Sequence, residues 1–484
     1  MSKTVTLDET IVVDRPLTQV FAYISHFNRI DEWDPGVAKG TRITDGLPAV
    51  GSEFQIDMKA GFSLNYTIVE FETNKRMLMT VDSSVFTALE EIVFDETDGG
   101  TSVRYIAKFQ FNTALAAANR IYPAMMAKVA KSTMDGMKAA LEDKFDAPQA
   151  SASIARQDRC IFPGLWRFTR LGYKRARKSW KPVSAYLEGK HAIVTGATSG
   201  IGEAAAMALA GFGASITLVA RDPRKAEATA ESIRASTGNE NVAVEIADLS
   251  LLSEVHALAD RLLAADTAID ILVNNAGALF NPRQETVEGF EKSFALLLLS
   301  PYVLTERLQP LLAKADEARV VNVSSGGMYT QRIHPSDLQS EQGSYSGSVA
   351  YARAKRGLMI LTEEWAQCWA EDGIIVNAMH PGWADTPGIE DSLTTFYKIT
   401  KRLLRSPEEG ADTAVWLAVA TEAGKVSGKF WLDREQHPSH VFKSTQETPE
   451  QRAQLLEKLA ELMQSTAELN SSADAPAAKR ASSA

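Results

Sequence analysis

At 484 residues the chain is too long for one ordinary domain, and two or three are expected. Its 45% hydrophobic and 23% charged residues fit a soluble globular protein, and a net charge of −10 speaks against nucleic acid as the main partner. Two cysteines, Cys160 and Cys368, imply no disulfide framework and fit a reducing compartment. The N-terminus lacks an apolar signal core, and apolar runs such as Phe294 to Leu299 are too short to span a bilayer, so a cytoplasmic protein is expected.

Residues 4–13 alternate as a strand and end at Asp14-Arg15-Pro16. Pro16 then opens a helix with Val20, Phe21 and Ile24 on one face, and a second short helix runs through Ile30–Trp33. Strands follow at 52–59, 64–72, 76–83, 87–95 and 102–111, with a hairpin turn at Asp98-Gly99-Gly100. A long helix, Tyr122 to Leu141, repeats Met125, Met126, Val129, Met134, Met137 and Leu141 along an apolar stripe. This order of elements resembles the helix-grip fold of the START-like and polyketide cyclase (SRPBCC) proteins, over residues 1–145. The resemblance implies an α+β domain whose long helix closes a curved sheet over an apolar cavity. The Met side chains either line that cavity or pack a core. His26, Asp31 and Asp34 are candidates for acid–base work, or they cap and flank helices. A binding module is expected here rather than a second enzyme.

Residues 146–159 read as a flexible linker. Residues 165–181 are basic and aromatic together; they suit either an anionic membrane surface or a helix docked on the next domain with its basic face in water. From Lys190 strand and helix alternate, which implies a doubly wound parallel sheet with strands at 191–195, 215–220, 242–247, 269–274, 319–323 and 374–379. A last helix is expected over Pro449–Leu469 and a disordered tail from Asn470, so that 446–484 stands apart from a domain at 160–445.

The first strand of this alternation runs into Thr195-Gly196-Ala197-Thr198-Ser199-Gly200-Ile201-Gly202, which opens a helix. Strand, glycine turn and helix place backbone N–H groups and a helix N-terminus against a pyrophosphate. The spacing resembles the short-chain dehydrogenase/reductase family, whose fold is a Rossmann-type α/β sheet. In that light Ala220 stands where NAD enzymes carry a carboxylate, and Arg221 can pair with a 2′-phosphate, so NADP is preferred while Asp222 keeps NAD open. Asp248 and Leu249 follow the third strand, where the family holds adenine; Asn275, Ala276 and Gly277 complete its Asn-Asn-Ala-Gly turn. Tyr351 and Lys355, four apart, share one helix face. A lysine ammonium one turn away favours phenolate and lowers the tyrosine pKa, so that Tyr351 can exchange a proton with a carbonyl or alcohol oxygen. Ser325 matches the family residue that bonds the substrate oxygen, with Ser324 as the alternative. Pro381 and Gly382 match its Pro-Gly turn, Thr386 would touch the nicotinamide carboxamide, and the loop through Thr400 would cover the substrate.

The gap between Ser325 and Tyr351 resembles that of retinol-dehydrogenase-like members, which implies a bulky hydrophobic small-molecule substrate. The basic aromatic segment and His-Pro-Gly-Trp-Ala-Asp-Thr-Pro387 are similar to a member-12-like branch of the family. One residue departs from the family pattern: Leu297 stands where members carry an Asn whose backbone holds a relay water, which puts that relay in doubt. The resemblance implies an NADP-dependent oxidoreductase for ketones and secondary alcohols, commonly a homo-oligomer; the rival is an NADP-bound binding or sensor protein.

Overall fold

The computed structural model describes residues 4–44, 48–83, 86–111, 122–143, 151, 154, 158, 166–178, 180, 183, 185–384 and 403–473. The chain divides into two compact units, Met1–Ala147 with Val183–Tyr186, and Pro148–Pro182 with Leu187–Ala484. Each has its own sheet and core.

The first unit runs β1 (Thr4–Val13), α1 (Leu17–Ser25), a 3-10 turn (Phe27–Glu32), β2 (Val37–Arg42), β3 (Glu53–Met58), β4 (Ser63–Glu72), β5 (Arg76–Asp82), β6 (Phe86–Thr97), β7 (Gly100–Phe111) and α2 (Tyr122–Asp143). Its strands form one antiparallel sheet in the order β1-β7-β6-β5-β4-β3-β2. Alternation puts Phe54, Tyr66, Ile68, Met79, Ile92 and Phe94 on the inner face, where they meet Phe21 of α1 and Met134, Met137 and Leu141 of α2. This is the helix-grip arrangement. Val129 is exposed and lies off the buried stripe, while the side chains of Met125 and Met126 fall outside the described residues. Three features differ from the sequence reading. The helix expected at Ile30–Trp33 is the 3-10 turn. β2 escaped notice because only Val37 of its six residues is buried, so no alternation marks it. Its Gly40 passes so near Asn28 that a Cβ would meet that carbonyl oxygen at 2.2 Å. Of the candidate acids and bases, Asp34 accepts from Gly36 N–H at 2.7 Å and from the Thr133 hydroxyl at 2.9 Å, and His26 Nδ1 lies 2.9 Å from Ala22 O. Val183–Tyr186 joins this unit through Tyr186, whose ring lies 5.6 Å from Phe21 and whose hydroxyl lies 2.8 Å from that of Thr73.

The second unit contains α3 (Arg170–Arg177), β8 (His191–Thr195), α4 (Gly200–Gly211), β9 (Ser215–Ala220), α5 (Pro223–Thr237), β10 (Val242–Ile246), α6 (Leu252–Ala265) and β11 (Ile271–Asn274). It continues through a π-turn (Ala295–Leu299), α7 (Ser300–Leu312), β12 (Ala318–Val323), α8 (Gly347–Cys368), β13 (Ile374–Met379), α9 (Pro407–Val419), β14 (Phe430–Leu432), β15 (Glu435–His437) and α10 (Pro449–Ala473). The order β10-β9-β8-β11-β12-β13-β14 is parallel, and β15 closes the edge as an antiparallel hairpin. This is the doubly wound Rossmann order, with a crevice where the strand sequence reverses beside β8. β14 and β15, at three residues each, carry too little pattern to be read from sequence. The terminal helix is not a separate segment: Leu455 and Leu459 are fully buried in this core, and His256 and Thr466 approach to 2.9 Å. That helix also runs past Leu469 to Ala473. Most of 146–159 lies outside the described residues, but Asp158 is held by His437 Nδ1 at 2.7 Å with both side chains buried, unlike a free linker. Among the described residues no helix is long and apolar enough to cross a membrane.

Candidate active site

β8 delivers the chain to Gly196, which adopts φ +65° and passes so close to the next turn that a Cβ would lie 2.8 Å from Ala276 Cα. Gly202, on the first turn of α4, is constrained from the other side: a Cβ there would meet Asn275 Nδ2 and Gly196 O, each at 2.4 Å. Thr195 and Asn275 staple the two turns together. The Thr195 hydroxyl accepts from the N–H of both Asn275 and Ala276 at 3.0 Å, and Asn275 Nδ2 donates to Thr195 O at 2.9 Å and Gly196 O at 3.2 Å. Behind them Asn274 donates to Thr305 and Asn322, and Asn322 to Thr362, each at 2.9 Å. This buried chain of amides and hydroxyls ties β11, β12, α7 and α8 into one frame.

The frame opens onto a cavity of about 690 Å³ at the carboxyl ends of the strands. Gly196, Thr198, Ser199, Gly200 and Ile201 line it from the loop, with Arg221 after β9 and Asp248 and Leu249 after β10. Asn275, Ala276 and Gly277 line it after β11, Ser325 after β12, Tyr351 and Lys355 from α8, and Pro381 and Gly382 after β13. Gly202 stands behind the loop, outside the lining. Thr386 and the loop from Asp385 through Thr400 lie outside the described residues.

Within the cavity the Ser325 hydroxyl is hydrogen-bonded to Tyr351 and accepts from Gly327 N–H at 3.1 Å. Ser324 is turned away, its hydroxyl donating to Lys355 O at 3.2 Å, so of the two serines Ser325 is the one beside the phenol. Lys355 is 3% exposed and donates from Nζ to Val323 O at 2.6 Å, 6.0 Å from the centre of the Tyr351 ring. Burial lowers the Lys355 pKa to about 8. Tyr351 differs from expectation. Burial pushes its pKa up, and the bond to Ser325 only partly offsets this, because the ammonium is aimed at Val323 O rather than at the phenol.

Two residues of the wall were not read as site residues. His380, just before Pro381-Gly382, is buried with neither ring nitrogen partnered among the described residues. Burial, with Arg405 and His437 nearby, lowers its pKa to about 3, so it is a neutral imidazole. Phe168 packs edge-on against it at 4.5 Å. The one signal for His380 was its place at the end of a central strand, where this fold puts ligands. Phe168 came from the aromatic basic segment, whose contact with the cavity no local pattern reports.

Leu297 sits in the π-turn, fully buried. There Ser300 N–H donates to Ala295 O, five residues back, and Pro301 has no N–H to give to Leu296 or Leu297. Beside this opening lies a second cavity of about 10 Å³, with Asn274, Leu297, Ser300, Pro301 and Lys355 among its walls. That is about the room one water takes.

Two family models match the chain: "Polyketide cyclase / dehydrase and lipid transport" over residues 4–142 and "short chain dehydrogenase" over residues 190–395. Dehydrogenase/reductase SDR family member 12 of Bos taurus is 40% identical over 303 residues, covering 62% of this chain and 95% of that relative. The Homo sapiens counterpart is 38% identical over 305 residues, with the same coverages of 62% and 95%. Retinol dehydrogenase 13 of Homo sapiens is 36% identical over 258 residues, 52% of this chain and 78% of that protein. The glycine turn stapled to Asn-Asn-Ala-Gly, the Rossmann strand order and the match to 95% of the member-12 relatives agree, and the chain belongs to the short-chain dehydrogenase/reductase family of NAD(P)-dependent enzymes, with a polyketide-cyclase-like domain ahead of its catalytic one.

Proposed function

We propose that the second unit interconverts a ketone and a secondary alcohol on a hydrophobic molecule with NADP(H), and that the first unit binds an apolar ligand of the same class. The observation that carries this reading is the convergence of Ser325, Tyr351 and Lys355 on one cavity with the glycine cradle. The cradle fits a dinucleotide: side chains are excluded where a pyrophosphate needs backbone, and α4 begins there. Asp248 and Leu249 would flank the adenine, and Asn275–Gly277, Lys355, Pro381 and Gly382 the nicotinamide half, with Thr386 added by resemblance. When bound, the nicotinamide supplies or accepts the hydride. Ser325 would hold the substrate oxygen, and Tyr351, kept protonated by burial, would give it a proton during reduction. The Lys355 ammonium would steady the charge that develops on the phenol.

NADP is favoured over NAD by the outlet of β9. Arg221 is exposed on the cavity wall, whereas the Asp222 carboxylate caps α5, accepting from Arg224 N–H at 3.0 Å and Lys225 N–H at 3.2 Å. A hydrophobic substrate is supported by Phe168, Leu279, Phe280, Leu296 and Trp383 in the wall and by the retinol dehydrogenases among the relatives. Leu297 favours the second reading, an NADP-bound sensor with little turnover. NADPH oxidation with a panel of lipid-like ketones separates the two. Turnover that disappears in Tyr351→Phe while NADPH affinity stays within a few-fold is the expected result; no turnover with any ketone supports the sensor.

A further inference from the structure

Residues 166–178 contain six cations, Arg167, Arg170, Lys174, Arg175, Arg177 and Lys178, and no acid, in a chain whose net charge is −10. Two are paired within the second unit, Arg167 with Glu435 and Arg170 with Glu409 at 3.1 Å. Lys174, Arg175, Arg177 and Lys178 are exposed and have no ion-pair partner among the described residues.

The geometry of α3 separates a docked face from a presented one. Tyr173 is buried beneath the Arg405 guanidinium, 5.3 Å from its ring, and Gly172 approaches so closely that a Cβ would lie 2.7 Å from Arg167 Cα. At about 100° per residue, Arg177, Arg170, Lys174, Lys178, Leu171 and Arg175 fall in that order along the opposite arc of roughly 160°. Leu171, 45% exposed, sits among the cations, and Trp166, 49% exposed, stands one turn ahead of the helix. Phe168, between Trp166 and α3, is part of the cavity wall.

We propose that this face docks on an anionic lipid bilayer. Unpaired lysine and arginine attract an anionic headgroup layer; Leu171 and Trp166 gain only if they leave water, which a bilayer interface allows and a phosphodiester groove does not. Docking would set the surface segment that contributes Phe168 to the cavity against the phase in which a hydrophobic substrate is dissolved.

Co-sedimentation of the full chain tests this without reading turnover, so its outcome does not depend on the oxidoreductase chemistry. The full chain is expected to pellet with vesicles of phosphatidylcholine mixed with phosphatidylserine, to stay in solution with phosphatidylcholine alone, and to be released by high salt. Lys174→Glu, Arg175→Glu and Lys178→Glu combined should weaken binding by at least on the order of a hundredfold. Leu171→Ser should weaken it by roughly tenfold. Neither variant should move the melting transition of the second unit, since these side chains are exposed. Failure to pellet with anionic vesicles, or a charge-reversed chain that pellets like the parent, overturns the proposal. Tighter retention on duplex DNA than on anionic vesicles overturns it too, and assigns the face to nucleic acid.

Discussion

The proposed preference for NADP rests on Arg221. It is exposed on the wall immediately after β9, and its neighbour Asp222 is engaged as a helix cap. Arg221→Asp replaces a guanidinium that can pair bidentately with a 2′-phosphate by a like charge. NADPH affinity should fall by about two orders of magnitude, roughly 3 kcal/mol, while NADH affinity shifts by a few-fold at most. Fluorescence titration of both cofactors reads the difference, and equal losses would remove Arg221 from cofactor choice. Much of the site was legible at this scale because its residues obey local rules. Gly196 and Gly202 report backbone approaches that no side chain survives, and Tyr351 and Lys355 report helical spacing. What the sequence hid is set by burial. The raised Tyr351 pKa and the neutral His380 both depend on which groups the fold brings near.

Legibility among the elements follows the strength of their periodicity. The six central strands of the second unit and six of the seven strands of the first carry enough apolar pattern to be read, whereas β2, β14 and β15 are short or one-sided and are held by neighbouring strands. The π-turn is a subtler case, since Leu297 signals a lost amide while Pro301 signals an opened helix. A proline at this position has no N–H to give to Leu296 or Leu297, both in the wall of the one-water cavity that Lys355 also lines. On the proposed function, the turn would serve a proton relay through backbone oxygen without the asparagine of the family pattern. Pro301→Ala restores the N–H and should let the turn tighten onto Leu297 O. The expected result is a kcat about tenfold lower with an enlarged solvent isotope effect and an unchanged KM, because only proton delivery is impaired. If kcat and the isotope effect stay at parental values in a folded variant, protons reach Tyr351 by another path.

At the scale of the whole molecule, two cores with no residue in common imply two cooperative transitions, and a buried carboxyl gives one of them a pH dependence of its own. Glu90 lies on the inner face of the first unit's sheet, 2% exposed, receiving the Tyr105 hydroxyl at 2.5 Å and the Tyr66 hydroxyl at 3.3 Å. Burial raises its pKa from 4.5 to about 7, against the pull of the two hydroxyls and with a further push from Asp34. Below the unfolded value both states hold the proton, and Glu90 leaves stability independent of pH. Between the two values the unfolded chain releases the proton while the folded unit retains it, so stability falls as pH rises through this window; above about 7 the loss is complete. Its size is on the order of 3 kcal/mol, enough to shift the midpoint of a domain this small by several degrees. Calorimetry of the full chain between pH 5 and pH 8 should therefore show one transition moving down with rising pH. Glu90→Gln should hold that transition at its low-pH position, because the neutral amide keeps the buried site uncharged at every pH. NADPH should raise only the other transition, since its cradle lies wholly in the second unit. A pH-sensitive transition that persists unchanged in Glu90→Gln would show that a different group titrates on unfolding and that Glu90 is ionised throughout.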